Sequence, residues 1–150
     1  MKTKYFSIRK SVSAILLAFT LSCISTAANA TIFYISTTGN DVTGTGSKAN
    51  PWKTLFKAAS TVAVAGDIIH VNSGTYLETQ QCALKVGVSI EGDGITSVLQ
   101  STLTADWTEL LSLKSAEGTN GNQHISNIKF DGRNLATFWG VYIAGRSNVS

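Results

Sequence analysis

Two carboxylates, Glu91 and Asp93, flank Gly92 in the stretch Glu91-Gly92-Asp93-Gly94. Carboxylates two residues apart across a glycine could converge on a hard cation such as calcium, but calcium takes six or more oxygens. With two in view, the stretch reads first as a solvated turn. Lys129, Arg133 and Arg146 are the Lys/Arg residues after Gly121. They could hold the carboxylates of an acidic polysaccharide by charge-assisted hydrogen bonds, or simply be solvated. Trp139 follows Phe138 and precedes the apolar run from Val141 to Ile143. Exposed, it would stack on a sugar ring; buried, it would join the core. His70 and His124 have no Cys, His or acidic partner at the spacing of a metal site, so each reads as a rung or turn residue. Cys82 reads as a small buried hydrophobe. No glycine loop runs into the Lys-Thr helix start that cradles a phosphate.

The front of the chain bounds what these groups can mean. Lys2, Lys4, Arg9 and Lys10 precede an apolar run from Ala14 to Ile24 and the small-residue ending Ala28-Asn29-Ala30. This is the three-part pattern of a secretory signal peptide, and the run is shorter than the roughly 18 residues of a membrane span. Residues 1–30 are therefore expected to be removed, leaving a secreted or cell-surface chain; lipid attachment at Cys23 is less favoured because Thr20 stands where a lipobox has Leu. The whole chain carries 12 Lys/Arg and 9 Asp/Glu. Without its first four basic residues the balance is eight against nine, so the apparent basicity gives no reason to expect a nucleic-acid partner. The mature part holds one cysteine, Cys82, and no internal disulfide, so packing must stabilise it.

The elements that must position the candidates are short strands. Apolar runs at Ile32 to Ile35, Ile68 to Val71, Val88 to Ile90, Ser97 to Leu99, Leu110 to Leu113, Ile125 to Phe130 and Val141 to Ile143 are separated by Gly- or Asn-rich turns. No two-residue Asn-Gly turn joins two of them, which disfavours stacked hairpins. Ser126-Asn127-Ile128 recurs as Ser147-Asn148-Val149, and Val88 to Gly92 recurs as Ile128 to Gly132; Ile69-His70-Val71 loosely precedes Val88 by one further step. The offsets agree on a single period of about 20 residues, which predicts the rungs of a parallel β-helix, with Asn127 and Asn148 either stacked one coil apart or serving as two independent turn asparagines. One stretch, "NPWKTLFKAAS", predicts an amphipathic helix over residues 51–64, with Asn50 as N-cap, Pro51 at N1 and Gly66 beyond its end. Trp52, Leu55, Phe56, Ala59, Val62 and Ala63 form its apolar face, and its place before the first repeated strand makes it a lid on the stack.

The segment "YISTTGNDVTGTGSKANPWKTLFKAASTVAVAGDIIHVNSGTY" is similar to the opening segment of secreted right-handed parallel β-helix proteins of the pectate lyase type. It has a first strand, a Gly-Asn-Asp loop, a Pro-aromatic-Lys-Thr helix start, then Gly-Asp, a strand and Gly-Thr-Tyr. "GVSIEGDG" and "GVYIAGRSNVS" resemble the later coils. The resemblance implies the pectin lyase fold, an acidic extracellular polysaccharide as partner, calcium as a possible cofactor and a monomer. It does not imply an activity, because lyases, hydrolases, epimerases and non-catalytic surface proteins share the fold. "FWGVYIAG" carries Trp139 where polygalacturonase-like members have a carboxylate, so that hydrolase site is not expected on this coil.

The expectation is an all-β solenoid divided into a signal peptide (1–30), an N-terminal strand, loop and capping helix (31–66), and the first coils (67–150), incomplete at the carboxyl end. A polysaccharide lyase acting on uronate-containing glycans is the first functional reading, with its catalytic region beyond Ser150 and a glycoside hydrolase as second choice. The rival is a non-catalytic, adhesin-type β-helix that binds glycans or cell-wall material.

Overall fold

The computed structural model describes residues 29–105, 108–134 and 139–150. The expected signal peptide through residue 28, Cys23 and Phe138 therefore lie outside the described residues. Among the described residues ten strands and one helix follow in the order β1 (Ile32–Ile35), α1 (Leu55–Thr61), β2 (Ile68–Val71), β3 (Gly74–Glu78), β4 (Cys82–Ala83), β5 (Ser89–Gly92), β6 (Ser97–Ser101), β7 (Glu109–Gln123), β8 (Ile125–Ser126), β9 (Lys129–Asp131) and β10 (Trp139–Val149). They build three sheets, β1-β2-β5-β8, β3-β6-β9 and β10-β7-β4, and every strand pairing is parallel. From β2 onward, each circuit of chain visits the three sheets in turn. This is an all-β solenoid.

The columns across the sheets explain why short apolar-x-apolar runs suffice. Phe33, Ile69, Ile90 and Ile125 are in register across β1, β2, β5 and β8. Tyr76, Leu99 and Phe130 form the corresponding column of the second sheet, and Cys82, Leu111 and Val141 that of the third. Alternate residues of a strand point to opposite faces, so these columns meet in one core, which also takes in Leu55, Ala58 and Ala59 of α1.

The coils do not hold to the single expected period. Ile68 pairs with Ser89, close to the expected step, but Ile90 pairs with Ile125 and Leu111 with Val141, both well beyond it. The second circuit is long because β7 alone spans 15 residues. Hence the repeat of Val88–Gly92 at Ile128–Gly132 does not join stacked rungs: Ile90 faces Ile125, and Phe130 faces Leu99 in a different sheet. Nor does Asn127 stack on Asn148. The Asn148 side-chain amide donates to Asn120 Oδ1 (3.2 Å) and lies 3.4 Å from Asn122 Oδ1. Asn122, Asn127 and Asn148 instead share a left-handed backbone, which asparagine tolerates better than most residues.

The helix is shorter than its periodicity predicts. Thr54, not Asn50, is the N-cap, its side chain accepting the Lys57 N–H, and the helix ends at Thr61. Asn50 and Pro51 are excluded because the chain is extended through Trp52: the Trp52 N–H donates to Tyr34 O (3.1 Å) and its carbonyl accepts from Ser36 N (2.9 Å). Gly66 turns the chain four residues past the C-cap Val62, and Ala63 is exposed rather than on the buried face. The helix packs against β4, β1 and β3.

Gly92 marks where the third circuit crosses the second. A Cβ there would lie 2.3 Å from the Asn127 carbonyl oxygen and 2.4 Å from Ile128 Cγ2. The obstacle includes backbone, so a rotamer change cannot remove it. Gly92→Ala is expected to lower unfolding stability by about 1–3 kcal/mol, read as a lower urea midpoint.

Candidate functional site

The outward column of the first sheet carries chemistry. Tyr34, His70, Glu91 and Ser126 are in register on β1, β2, β5 and β8. Adjacent strands are roughly 4.8 Å apart, so these four side chains form one row across the coils. Each is half-buried, while Ile69 and Ile90 at the centre of the neighbouring column are fully buried. The apolar column fixes which way the polar one must face.

Two histidine–carboxylate pairs stand on this row. His70 Nε2 is 2.9 Å from Asp93 Oδ1, and His124 Nε2 is 2.6 Å from Glu91 Oε1. Asp93 reaches His70 because the turn after β5 bends back beside β2: the Asp93 N–H donates to Val71 O and to Ser97 Oγ. Its Oδ2 accepts the Ser73 N–H at 2.8 Å, and Ser73 Oγ continues the chain to Thr96 Oγ1 at 3.0 Å. The Ser73 amide above all, and then His70, hold the Asp93 carboxyl below the usual aspartate range. His124 precedes β8; its N–H donates to Ser89 Oγ and its carbonyl accepts from Ile90 N. The Tyr34 ring lies over His70, 5.2 Å between centroids and tilted by 54°. An imidazole held through one nitrogen by a carboxylate has its other nitrogen free for proton transfer or hydrogen bonding.

The Asp93 contacts make a measurable contribution. A carboxyl depressed in the folded state stabilises it above the unfolded pKa, and that contribution is lost as pH falls through the folded value. The side chain is 41% exposed, so solvent screens the effect to about 0.5–1 kcal/mol. Asp93→Asn is expected to flatten the acid limb of a stability-versus-pH curve by that amount.

The other sequence candidates are placed apart. Glu91 and Asp93 do not converge on a common point: each is engaged by a different histidine. Among the described residues no group of three or more His, Cys, Asp and Glu is placed to hold a metal ion. Lys129 is exposed on β9 and Arg133 on the turn after it, in the second sheet. Trp139 begins β10 in the third sheet, in register with Glu109. Arg146, also on β10, is half-buried; its guanidinium donates to Gln123 Oε1, Leu84 O and Lys114 O, tying together successive circuits. Cys82 is fully buried, and burial and then Glu78 push its thiol far above the ordinary range.

The histidines read as partnerless along the sequence have partners across the coils, 23 and 33 residues away. The signal was within reach: aligning Ile69-His70-Val71 on Val88-Ser89-Ile90 puts His70 beside Ser89. The true register, two residues further, puts it beside Glu91.

A family model described as "Protein of unknown function (DUF1565)" matches residues 37–148. The chain belongs to the DUF1565 family. No curated protein and no solved structure matches it. The DUF1565 match takes in both histidine–carboxylate pairs and β2 through most of β10; Tyr34, at one end of the row, lies just before it. Among the described residues no helix of this DUF1565 chain is long and apolar enough to cross a membrane.

Proposed function

We propose that this chain belongs to a secreted, right-handed parallel β-helix protein that acts on uronate-containing extracellular polysaccharide. In this reading residues 1–30 direct export, residues 31–66 include a helix that closes one end of the stack, and the coils from residue 67 carry the glycan. The observation that supports it is the solvent-accessible row of Tyr34, His70, Glu91 and Ser126 with its two histidine–carboxylate pairs. Rows repeated at the strand spacing suit an extended polymer, and an oriented imidazole suits removal of the proton beside a uronate carboxylate. Lys129 and Arg133, exposed at another sheet, would attract the carboxylates of such a polymer there rather than along the row. No step is assigned to calcium, because Glu91 and Asp93 are already held by histidines.

A second reading, a non-catalytic glycan-binding β-helix, is favoured by that same engagement: both imidazoles are fixed in hydrogen bonds and, among the described residues, no cation site accompanies them. The deciding experiment incubates the full-length protein with pectate, alginate and chondroitin, with and without calcium. Ultraviolet absorbance of unsaturated uronate products and retention on each polysaccharide are both measured. Product that disappears in His70→Ala supports the lyase. Retention without product supports the binder, and neither signal on any of the three polymers sinks both.

A further inference from the structure

We propose that a concavity over β3, apart from the histidine row, is a binding site for a single neutral sugar ring. Its volume is about 280 Å³, just below the roughly 300–1,000 Å³ that holds drug-sized ligands, which suits one ring rather than an oligomer. The wall carries Thr37, Lys53, Thr75 and Leu77, all exposed.

The hydrogen-bonding inventory points to the ligand class. The hydroxyls of Thr37 and Thr75 and the ammonium of Lys53 have no hydrogen-bond or ion-pair partner among the described residues. The other polar groups of the lining are already committed. Tyr76 Oη donates to Asn72 O at 2.8 Å, Thr54 Oγ1 donates to Asp41 Oδ2 at 2.8 Å, and the Glu78 carboxylate accepts the Leu55 and Phe56 N–H groups. Two free hydroxyls, each donor and acceptor, and one free three-proton donor therefore face the same space. Leu77 adds an exposed apolar wall against which the C–H face of a pyranose can lie. Asp41, whose carboxylate accepts the Lys53 and Thr54 N–H groups, places a negative charge beside the Lys53 ammonium, so the lining does not favour an anion: the class is a neutral hexose, not a uronate.

The site is fixed from behind. Thr75 and Leu77 are outward residues of a strand whose inward Tyr76 and terminal Glu78 are buried, and Lys53 stands just before the helix, its N–H bonded to Asp41 Oδ1 at 2.7 Å. A ligand thus meets groups already ordered by packing, which limits the entropy lost on binding.

The test is amide NMR of the full-length protein titrated with methyl glucoside, methyl galactoside and galacturonate. A neutral glycoside should shift the amides of Thr37, Lys53, Thr75 and Leu77 with saturation in the millimolar range, as a ligand of about a dozen heavy atoms permits. Thr75→Val, an exposed change that keeps the side-chain shape, should weaken it about three- to ten-fold with the rest of the spectrum unchanged. Absence of shifts at about 100 mM glycoside would overturn the site, as would tighter saturation of these amides by galacturonate. Shifts confined to Tyr34, His70 and Glu91 would overturn it too, while supporting the histidine row as the sugar contact.

Discussion

Trp52→Ala is expected to destabilise the chain by about 3–5 kcal/mol, the range for removing a large buried aromatic. The indole is 4% exposed and stacks on Phe33, 5.6 Å between centroids and 13° from parallel. Its Nε1–H donates to Gly44 O at 2.9 Å. The loop before it is moulded to the ring: a Cβ on Gly46 would lie 2.6 Å from two ring carbons. Without the ring, residues 39–50 have nothing to wrap. The loss should also reach the candidate site, because Tyr34 is held between the Gly46 carbonyl, which accepts its N–H at 2.7 Å, and the Trp52 N–H, which its carbonyl accepts. Trp52→Phe keeps a stacked ring and loses the hydrogen bond and some volume, so about 1–2 kcal/mol is expected. Urea unfolding of both variants checks the ranking; equal midpoints for wild type and Trp52→Ala would refute it.

Trp52 also shows where the sequence misleads. Its spacing with Leu55, Phe56 and Ala59 is helical, yet its backbone belongs to a bridge with Ile35. Helical periodicity reports which side chains are apolar, and an extended residue can reach the same core from outside the helix. Strand positions were more legible, since β1 and β2 coincide with the expected apolar runs. The absence of hairpin turns disfavoured antiparallel stacking, and the repeated motifs pointed to parallel coils. The strand β3 was absent from the expected runs because it opens on Gly74 and its inward residues are Tyr76 and the carboxylate Glu78 rather than an apolar pair. Register was the least legible quantity. Loops between rungs vary in length without disturbing the stack, so local motif matches cannot fix which rungs meet. That failure concealed the site: a carboxylate becomes a histidine's partner only when the coil length is known.

The second large effect is at Glu78, a carboxylate with 1% exposure whose Oε1 accepts the Leu55 N–H at 2.6 Å and Oε2 the Phe56 N–H at 3.2 Å. These are first-turn donors of α1 with no partner inside the helix, and β3 supplies the acceptor that the helix lacks. Glu78→Ala leaves the buried Leu55 donor and the part-buried Phe56 donor unsatisfied and opens a void; an expected loss of about 3 kcal/mol follows from roughly 1–3 kcal/mol per unsatisfied group. Burial raises the Glu78 pKa above the usual range, the Leu55 and Phe56 amides oppose that rise, and Asp41 adds to it. The sign of the pH effect follows. Between the ordinary glutamate pKa and the raised folded value, the folded chain binds more protons than the unfolded one, so stability falls as pH rises through that interval. Below it the contribution is fully present. Glu78→Gln keeps one acceptor oxygen but turns an amide donor toward the other N–H, so a smaller loss of about 1–2 kcal/mol is expected, with no titration. Subtracting its stability-versus-pH curve from that of the wild type isolates Glu78: the wild-type curve should decline relative to the variant on the alkaline side of pH 4.5, and a rising difference would show that the two amide donors outweigh burial.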